Sequence, residues 1–348
     1  MVNTLLRCNP EEKTTKEDVV WQWQCTSGKW LANIFACVRD VTSDARLIIN
    51  SSSITLVPQV GRHGLEVGVT WPVEALQSTG QHRLTREDPL LIPMNVESLV
   101  MNYLVYATRK DHVVTFRVRQ AALDSHHPWI DIRISLEEEG SPSQEGRLYF
   151  LQREYAHFGI PKLPEAWAKI DEYPAHLHRF SASTLEWKRL MMRAKKQTNS
   201  LRFGVDDEGD AVLKELPLRS ATQVGSLGTG SLPPLGASPT STTTMTTHRF
   251  AMDTLCTGCL EDQGNQLAHM HEDGGCLRPT KGSTTSVPPV QIVDVDALLV
   301  ASKRPSRVAQ DVRIYFGCVP HGIILSYELH HGGSLTFLVP STDHAPTF

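Results

Sequence analysis

Residues 90–119 read LLIPMNVESLVMNYLVYATRKDHVVTFRVR, and the way this stretch divides decides how the rest of the chain is parsed. Leu90–Pro93 is an apolar run of strand character, Asn95–Thr108 reads as a helix, and Val113–Arg119 returns to a strand. Further strands are expected at Trp129–Leu136 and Arg147–Arg153. In Asp131-Ile132-Arg133-Ile134-Ser135-Leu136 polar and apolar residues alternate, the pattern of an antiparallel strand with one buried face. The unit is a strand, a helix, then three strands.

Working outward, the same order recurs. Upstream, Val19–Gln24 is a β-type run, and Gly28 opens a helical pattern with Leu31, Ile34, Val38 and Val41 at i, i+3, i+7 and i+10. Strands follow at Arg46–Asn50, Ser53–Pro58 and Glu66–Trp71. In the second half, Leu177–Ser181 is a strand and Ser183–Lys196 a helix. Leu201–Val205 and Ala211–Leu216 form a hairpin turned at Asp206-Asp207-Glu208-Gly209. Val290–Val295, the helix Asp296–Arg304, Val312–Cys318, Gly322–Glu328 and Ser334–Pro340 complete a fourth copy. The expected fold is α+β, with an N-terminal domain over 1–153, an extended proline-bearing connector over 154–174, and a C-terminal domain over 175–348.

One segment breaks the pattern. From Ser220 to Pro289, Ser, Thr, Gly and Pro make up roughly half of the residues, too polar a composition to offset the entropy of ordering. A disordered insertion at 219–290 inside the C-terminal domain is expected. It holds Cys256-x-x-Cys259, His269-x-His271 and Cys276, enough nitrogen and sulfur ligands for tetrahedral zinc. The other reading is a loop that happens to carry thiols and histidines.

Across 348 residues, 34 Lys+Arg against 38 Asp+Glu leave a net charge of −4, which excludes a uniformly basic nucleic-acid binder. Contact with a polyanion must come from a local patch. Seven Cys without dense spacing point to reduced thiols in an intracellular protein. Met1 to Lys13 reaches charge before an apolar core could form, and no long apolar run occurs, so neither a secretory leader nor a membrane span is expected.

The helix Ser183–Lys196 is the strongest local signal. Trp187, Leu190, Met191 and Ala194 fall on one side, while Lys188, Arg189, Arg193, Lys195 and Lys196 spread over the other, against Glu186 alone. Phosphate backbone is the natural partner of such a face, since cations displace condensed counterions. A solvated helix surface is the plainer reading. Lys195 and Lys196 would also suit a helix C-terminus on dipole grounds. Catalytic patterns are poor. Gly225, Gly228 and Gly230 lack a preceding strand and a following helix, Gly28-Lys29 lacks the rest of a phosphate loop, and His126-His127 and His330-His331 sit in turns. No enzyme and no cofactor are expected.

The element order, together with particular segments, resembles the sliding clamps, whose subunits hold two similar domains of two strand–helix–strands units each. Within that group the chain is most similar to Hus-one-type subunits of the nine-one-one DNA-damage checkpoint clamp, relatives of proliferating cell nuclear antigen. Trp30 to Val57, Pro93 to Arg119, Val290 to Leu299 and Ser334 to Ser341 carry the likeness. The resemblance implies a non-enzymatic nuclear ring subunit whose helices face a central hole around double-stranded DNA. It also implies Rad-nine-like and Rad-one-like neighbours, and a clamp loader. Lys303 and Arg304 on the fourth helix would join the cationic lining, whereas Asn95–Thr108, with no Lys or Arg, departs from it. Subunit contacts would use the last strand of the first domain or the hairpin near Ala211–Leu216. Phe158, Ile160 and Leu163 in the connector would lie beside the pocket that takes partner peptides. The competing functions are a homotrimeric replication clamp and a zinc-binding adaptor acting through Cys256–Cys276.

Overall fold

The computed structural model describes residues 19–50, 53–58, 64–72, 77–78, 89–109, 111–136, 143–151, 178–216, 246–252, 291–316 and 322–342. Within them the strand–helix–strands unit occurs four times. The first unit is β1 (Val19–Cys25), α1 (Gly28–Val41), β2 (Asp44–Ile49), β3 (Ser53–Pro58) and β4 (Glu66–Pro72), followed by the two-residue β5 (Gln77–Ser78). The second is β6 (Leu90–Asn95), α2 (Val96–Asn102), β7 (His112–Arg119), a one-turn α3 (Gln120–Leu123), β8 (Trp129–Leu136) and β9 (Gln144–Tyr149). The third is β10 (His178–Ser183), α4 (Thr184–Gln197), β11 (Ser200–Val205), β12 (Ala211–Glu215) and β13 (Thr247–Phe250). The fourth is β14 (Gln291–Asp294), α5 (Val295–Lys303), β15 (Ala309–Phe316), β16 (Gly322–Leu329) and β17 (Ser334–Pro340).

Units pair by exchanging their first strands. β1 lies beside β7 in a sheet of order β5-β1-β7-β8-β9, and β14 beside β11 in the order β13-β12-β11-β14. β6 and β10 are the outer strands of the third sheet, β10-β15-β16-β17-β4-β3-β2-β6. Each unit is thereby locked to its partner by a backbone ladder as well as by side-chain burial. The two halves meet in the middle of that eight-stranded sheet, where β17 runs antiparallel to β4 with Leu335 opposite Val69 and Phe337 opposite Val67. Gly333, with φ +87°, lets the β16–β17 turn pass against the backbone of Thr70, where a side chain would be both strained and obstructed.

The four longer helices lie side by side in the order α2–α1–α5–α4. α1 buries Leu31, Ile34, Val38 and Val41, the spacing read from the sequence, plus Trp30, Phe35 and Cys37. Each such side chain contributes about 1.5–3 kcal/mol of burial. Aromatic rings fill both halves: Trp23 packs on Trp71 and Phe116, each at 5.2 Å, and Phe180 packs edge-on against Trp187 and Phe316. Three buried polar side chains of the second core are satisfied. Trp187 Nε1 donates to Ser302 Oγ at 2.9 Å, the Ser302 hydroxyl to Leu298 O, and the Tyr327 hydroxyl to Ala301 O.

Three expectations need correction. The segment 219–290 is not uniformly without structure, because Thr247–Phe250 forms β13 and pairs with β12. Its pattern is too short and too polar to stand out, and only the waiting edge of β12 gives it a place. The helix expected over Asn95–Thr108 ends at Asn102. The Asn95 side chain caps it by accepting from Ser98 N at 2.6 Å, but Tyr103 leaves helical geometry so that its hydroxyl can donate to Arg147 O at 2.6 Å. A single 3₁₀ turn, Leu104–Tyr106, follows. Strand β9 likewise begins and ends earlier than Arg147–Arg153, since pairing with Trp129–Ile134 sets its register.

Candidate nucleic-acid interface

α4 buries Thr184, Trp187, Leu190, Met191 and Ala194, so its cationic side faces outward as the heptad-like spacing predicts. Arg189, Arg193 and Lys196 are exposed and Lys188 half-buried. None of these four is in an ion pair among the described residues. Lys195 differs: its Nζ sits 2.5 Å from Asp296 on α5, a cross-helix bond that spends its charge. On α5, Lys303 is exposed, but the Arg304 guanidinium bonds to Asp40 at the end of α1, a pair 264 residues apart in the chain. Arg304, expected as a DNA contact, therefore ties the two halves together. Arg39 shares Asp40 at 3.5 Å, and Arg307, three residues after Arg304, is exposed.

The unpaired cations are thus concentrated on α4 and thin out across α5 and α1. Cations without a fixed partner can exchange condensed counterions for phosphates at little desolvation cost, and that is the chemistry this face offers. The sequence pattern missed two apolar residues on the same exposed side, Leu185 and Met192, exposed by 47% and 50%.

A second apolar group stands at the other end of the helical row. Met101, Val105 and Tyr106 are exposed on α2 and its 3₁₀ turn, and Tyr149 is exposed on β9. Tyr103 holds that turn against β9 through its bond to Arg147, with the Tyr103 ring against Gly146. β9 pairs only with β8, and β13 only with β12, so each leaves an open edge among the described residues. The hairpin strand β12, expected as an edge, is covered by β13. That strand is held by Phe250, stacked on Phe180 at 4.7 Å, and by Arg249, which reaches Asp206 at 3.4 Å and Glu208 at 3.2 Å. The acidic turn Asp206, Glu208, Asp210 is accounted for by this grip and by Asp206 Oδ1 accepting from the Glu208 and Asp210 amides.

Among the described residues, the two cysteines are withdrawn from solvent. Cys25 and Cys37 are buried; burial, with Asp40 adding to it, pushes the Cys37 thiol up to about 12 against the opposing pull of Arg304 and Arg307. Such a thiol is inert. The zinc candidates Cys256, Cys259, His269, His271 and Cys276, and the connector residues Phe158, Ile160 and Leu163, lie outside the described residues. Among the described residues, no helix is long and apolar enough to cross a membrane.

No known family profile matches this sequence, and no curated protein does. Solved structures match it in shape. The crystal structure of the PCNA2-PCNA3 complex from Sulfolobus tokodaii is similar over 92% of this chain and 99% of that chain, with a TM-score of 0.56 at 10% identity. Proliferating cellular nuclear antigen from Entamoeba histolytica is similar over 93% of this chain and 99% of that chain, with a TM-score of 0.57 at 9% identity. The fold is the sliding-clamp fold.

Proposed function

We propose, with the sliding-clamp fold as premise, that this chain is a non-enzymatic subunit of a ring that encircles duplex DNA. The observation that carries the reading is the outward face of α4, where Lys188, Arg189, Arg193 and Lys196 stand without carboxylate partners among the described residues, in a protein of net charge −4. Lys303 extends that face onto α5. A ring is retained by topology, so a few mobile cations suffice and strong affinity would hinder sliding.

The open edges supply the assembly step. An unpaired ladder of N–H and C=O groups needs a partner strand, and two different edges on one subunit make head-to-tail contacts that close into a ring. Tyr149, Met101, Val105 and Tyr106 beside β9 would be buried in those contacts. We read the ring as heterotrimeric, built with Rad-nine-like and Rad-one-like subunits, placed on DNA by a clamp loader, and acting in the nucleus in the DNA-damage checkpoint and repair. The sequence segments of Hus-one type support this. So does the fact that one similar solved structure is itself a complex of two differently numbered clamps.

Light scattering on the purified chain, alone and with the two partners, tests the assembly. A 1:1:1 complex with partners and no self-assembled trimer is the expected result, and a homotrimer would replace this reading with the replication clamp. Charge reversal at Lys188, Arg189 and Arg193 should weaken DNA association at least about tenfold without unfolding the chain. Unchanged retention on circular DNA with normal assembly would remove those residues from the hole.

A further inference from the structure

The sheet β5-β1-β7-β8-β9 turns Trp23, Phe116, Ile132 and Leu148 into the core, so the alternate residues form its outer face. Cross-strand register sets Gln22 beside Arg117, Arg117 beside Asp131, and Asp131 beside Arg147 in one row. The next row holds Thr115, Arg133 and Glu145. Arg119 completes a set of four guanidiniums facing two carboxylates, on a chain whose net charge is −4.

The partners are unevenly shared. Asp131 alone serves Arg119 at 3.2 Å and Arg147 at 3.4 Å, and also accepts from Trp129 Nε1 at 3.0 Å. Arg133 meets Glu145 at 3.4 Å with both side chains more than half exposed. Arg117 has no carboxylate among the described residues; its Nε donates to Gln22 Oε1 at 2.9 Å, which leaves its remaining guanidinium N–H donors for another acceptor. Arg147 is stacked 4.7 Å over the Trp129 ring, with exposed Tyr149 alongside. Arg117 is held in place by a neutral amide, and Arg147 by the Trp129 ring together with a half share of Asp131, so binding an anion here would cost little ordering.

We propose that this outer face, around Arg117, Arg133 and Arg147, docks an extended acidic segment of a partner protein through its Asp and Glu carboxylates. The proposal goes beyond the ring reading and does not depend on it, since the face lies on the side of the sheet away from α1. Arg117 and Arg147 stand two strands apart, about 10 Å, which matches carboxylates three residues apart in an extended chain. A duplex fits poorly because its continuous phosphate rows would pass over Asp131 and Glu145. A peptide can set its carboxylates between them and lay an apolar side chain on Tyr149.

The test is fluorescence anisotropy on the full chain at low ionic strength, with labelled deca-glutamate as one probe and a short DNA duplex as the other. Deca-glutamate should bind, and Arg117→Glu with Arg133→Glu should weaken it at least about tenfold. The Lys188, Arg189 and Arg193 reversal should leave peptide binding intact while weakening the duplex, so the two surfaces are told apart. If the double reversal lowers the melting temperature, Arg117→Gln with Arg133→Gln, which keeps hydrogen-bonding capacity without charge, is expected to show the same loss. Absence of peptide binding by the unaltered chain overturns the proposal. So does peptide binding that only the α4 reversal removes, or a sheet-face variant that loses the duplex and keeps the peptide.

Discussion

α2 and α4 hold matching places, each the helix of its strand–helix–strands unit and each at one end of the helical row, yet they show opposite surfaces. Inward they agree: α2 buries Val96, Leu99 and Val100, and α4 buries Trp187, Leu190, Met191 and Ala194. Outward, α4 presents Arg189, Arg193 and Lys196, whereas α2 has no Lys or Arg and exposes Met101, followed by Val105 and Tyr106. A repeated fold constrains what a helix buries and leaves its solvent side to each copy's task. The concentration of unpaired cations is therefore a property of one unit, not of the architecture.

The comparison can be broken most severely at its buried end. Trp187→Ala removes the ring beneath α4 and the N–H that the Ser302 oxygen accepts from, and should lower stability by about 3–5 kcal/mol in urea denaturation. A loss below 1 kcal/mol, on the order of a surface change, would mean α4 is not anchored there. Cys37 on α1 gives the next largest effect, as a pH dependence. The folded thiol keeps its proton to about pH 12, while the unfolded chain loses it near 9.0. The stability this supplies is complete below pH 9.0 and is lost as pH rises through about 12, by roughly 3–4 kcal/mol. Denaturation across that window should show a flatter slope for Cys37→Ala, although buried Tyr327, whose pKa burial also raises, keeps some slope. Asn95→Ala removes the α2 cap and should cost about 1 kcal/mol in the same assay. The smallest effect sharpens the contrast itself. Met101→Lys with Val105→Lys gives α2 the charge it lacks, and should raise duplex affinity about two- to threefold at low salt, an advantage that fades as salt is added.

Legibility in the sequence followed the range of the interaction concerned. The α1 stripe Leu31, Ile34, Val38, Val41 and the α4 split between Trp187 and Arg189 are periodic within one helix, and both stand as read. The hairpin at Asp206–Gly209 was legible for the same reason, since the Asp206 side chain closes its own turn. What failed involved distant partners. β13 is a strand because β12 offers it an edge and Phe180 a ring to stack on; THRF by itself carries no such signal. α2 stops early because Tyr103 reaches Arg147 on β9. Arg304 looks like a neighbour of Lys303 on a basic helix, and only the fold brings Asp40 to it.

By itself the sequence determined the order of elements, their repetition, the buried stripe of each long helix and the concentration of cations on α4, since all of these are set by residues within a turn or a strand of one another. Tertiary structure alone decided that the units exchange their first strands, that β17 joins β4 to make one eight-stranded sheet, and that β13 covers the edge of β12. It also decided which charges are spent and which are available, at Arg304 and Lys195 on one side of the molecule and at Arg117 on the other. A charge has a sign in the sequence, but its partner lies wherever the chain's backbone ladders bring it.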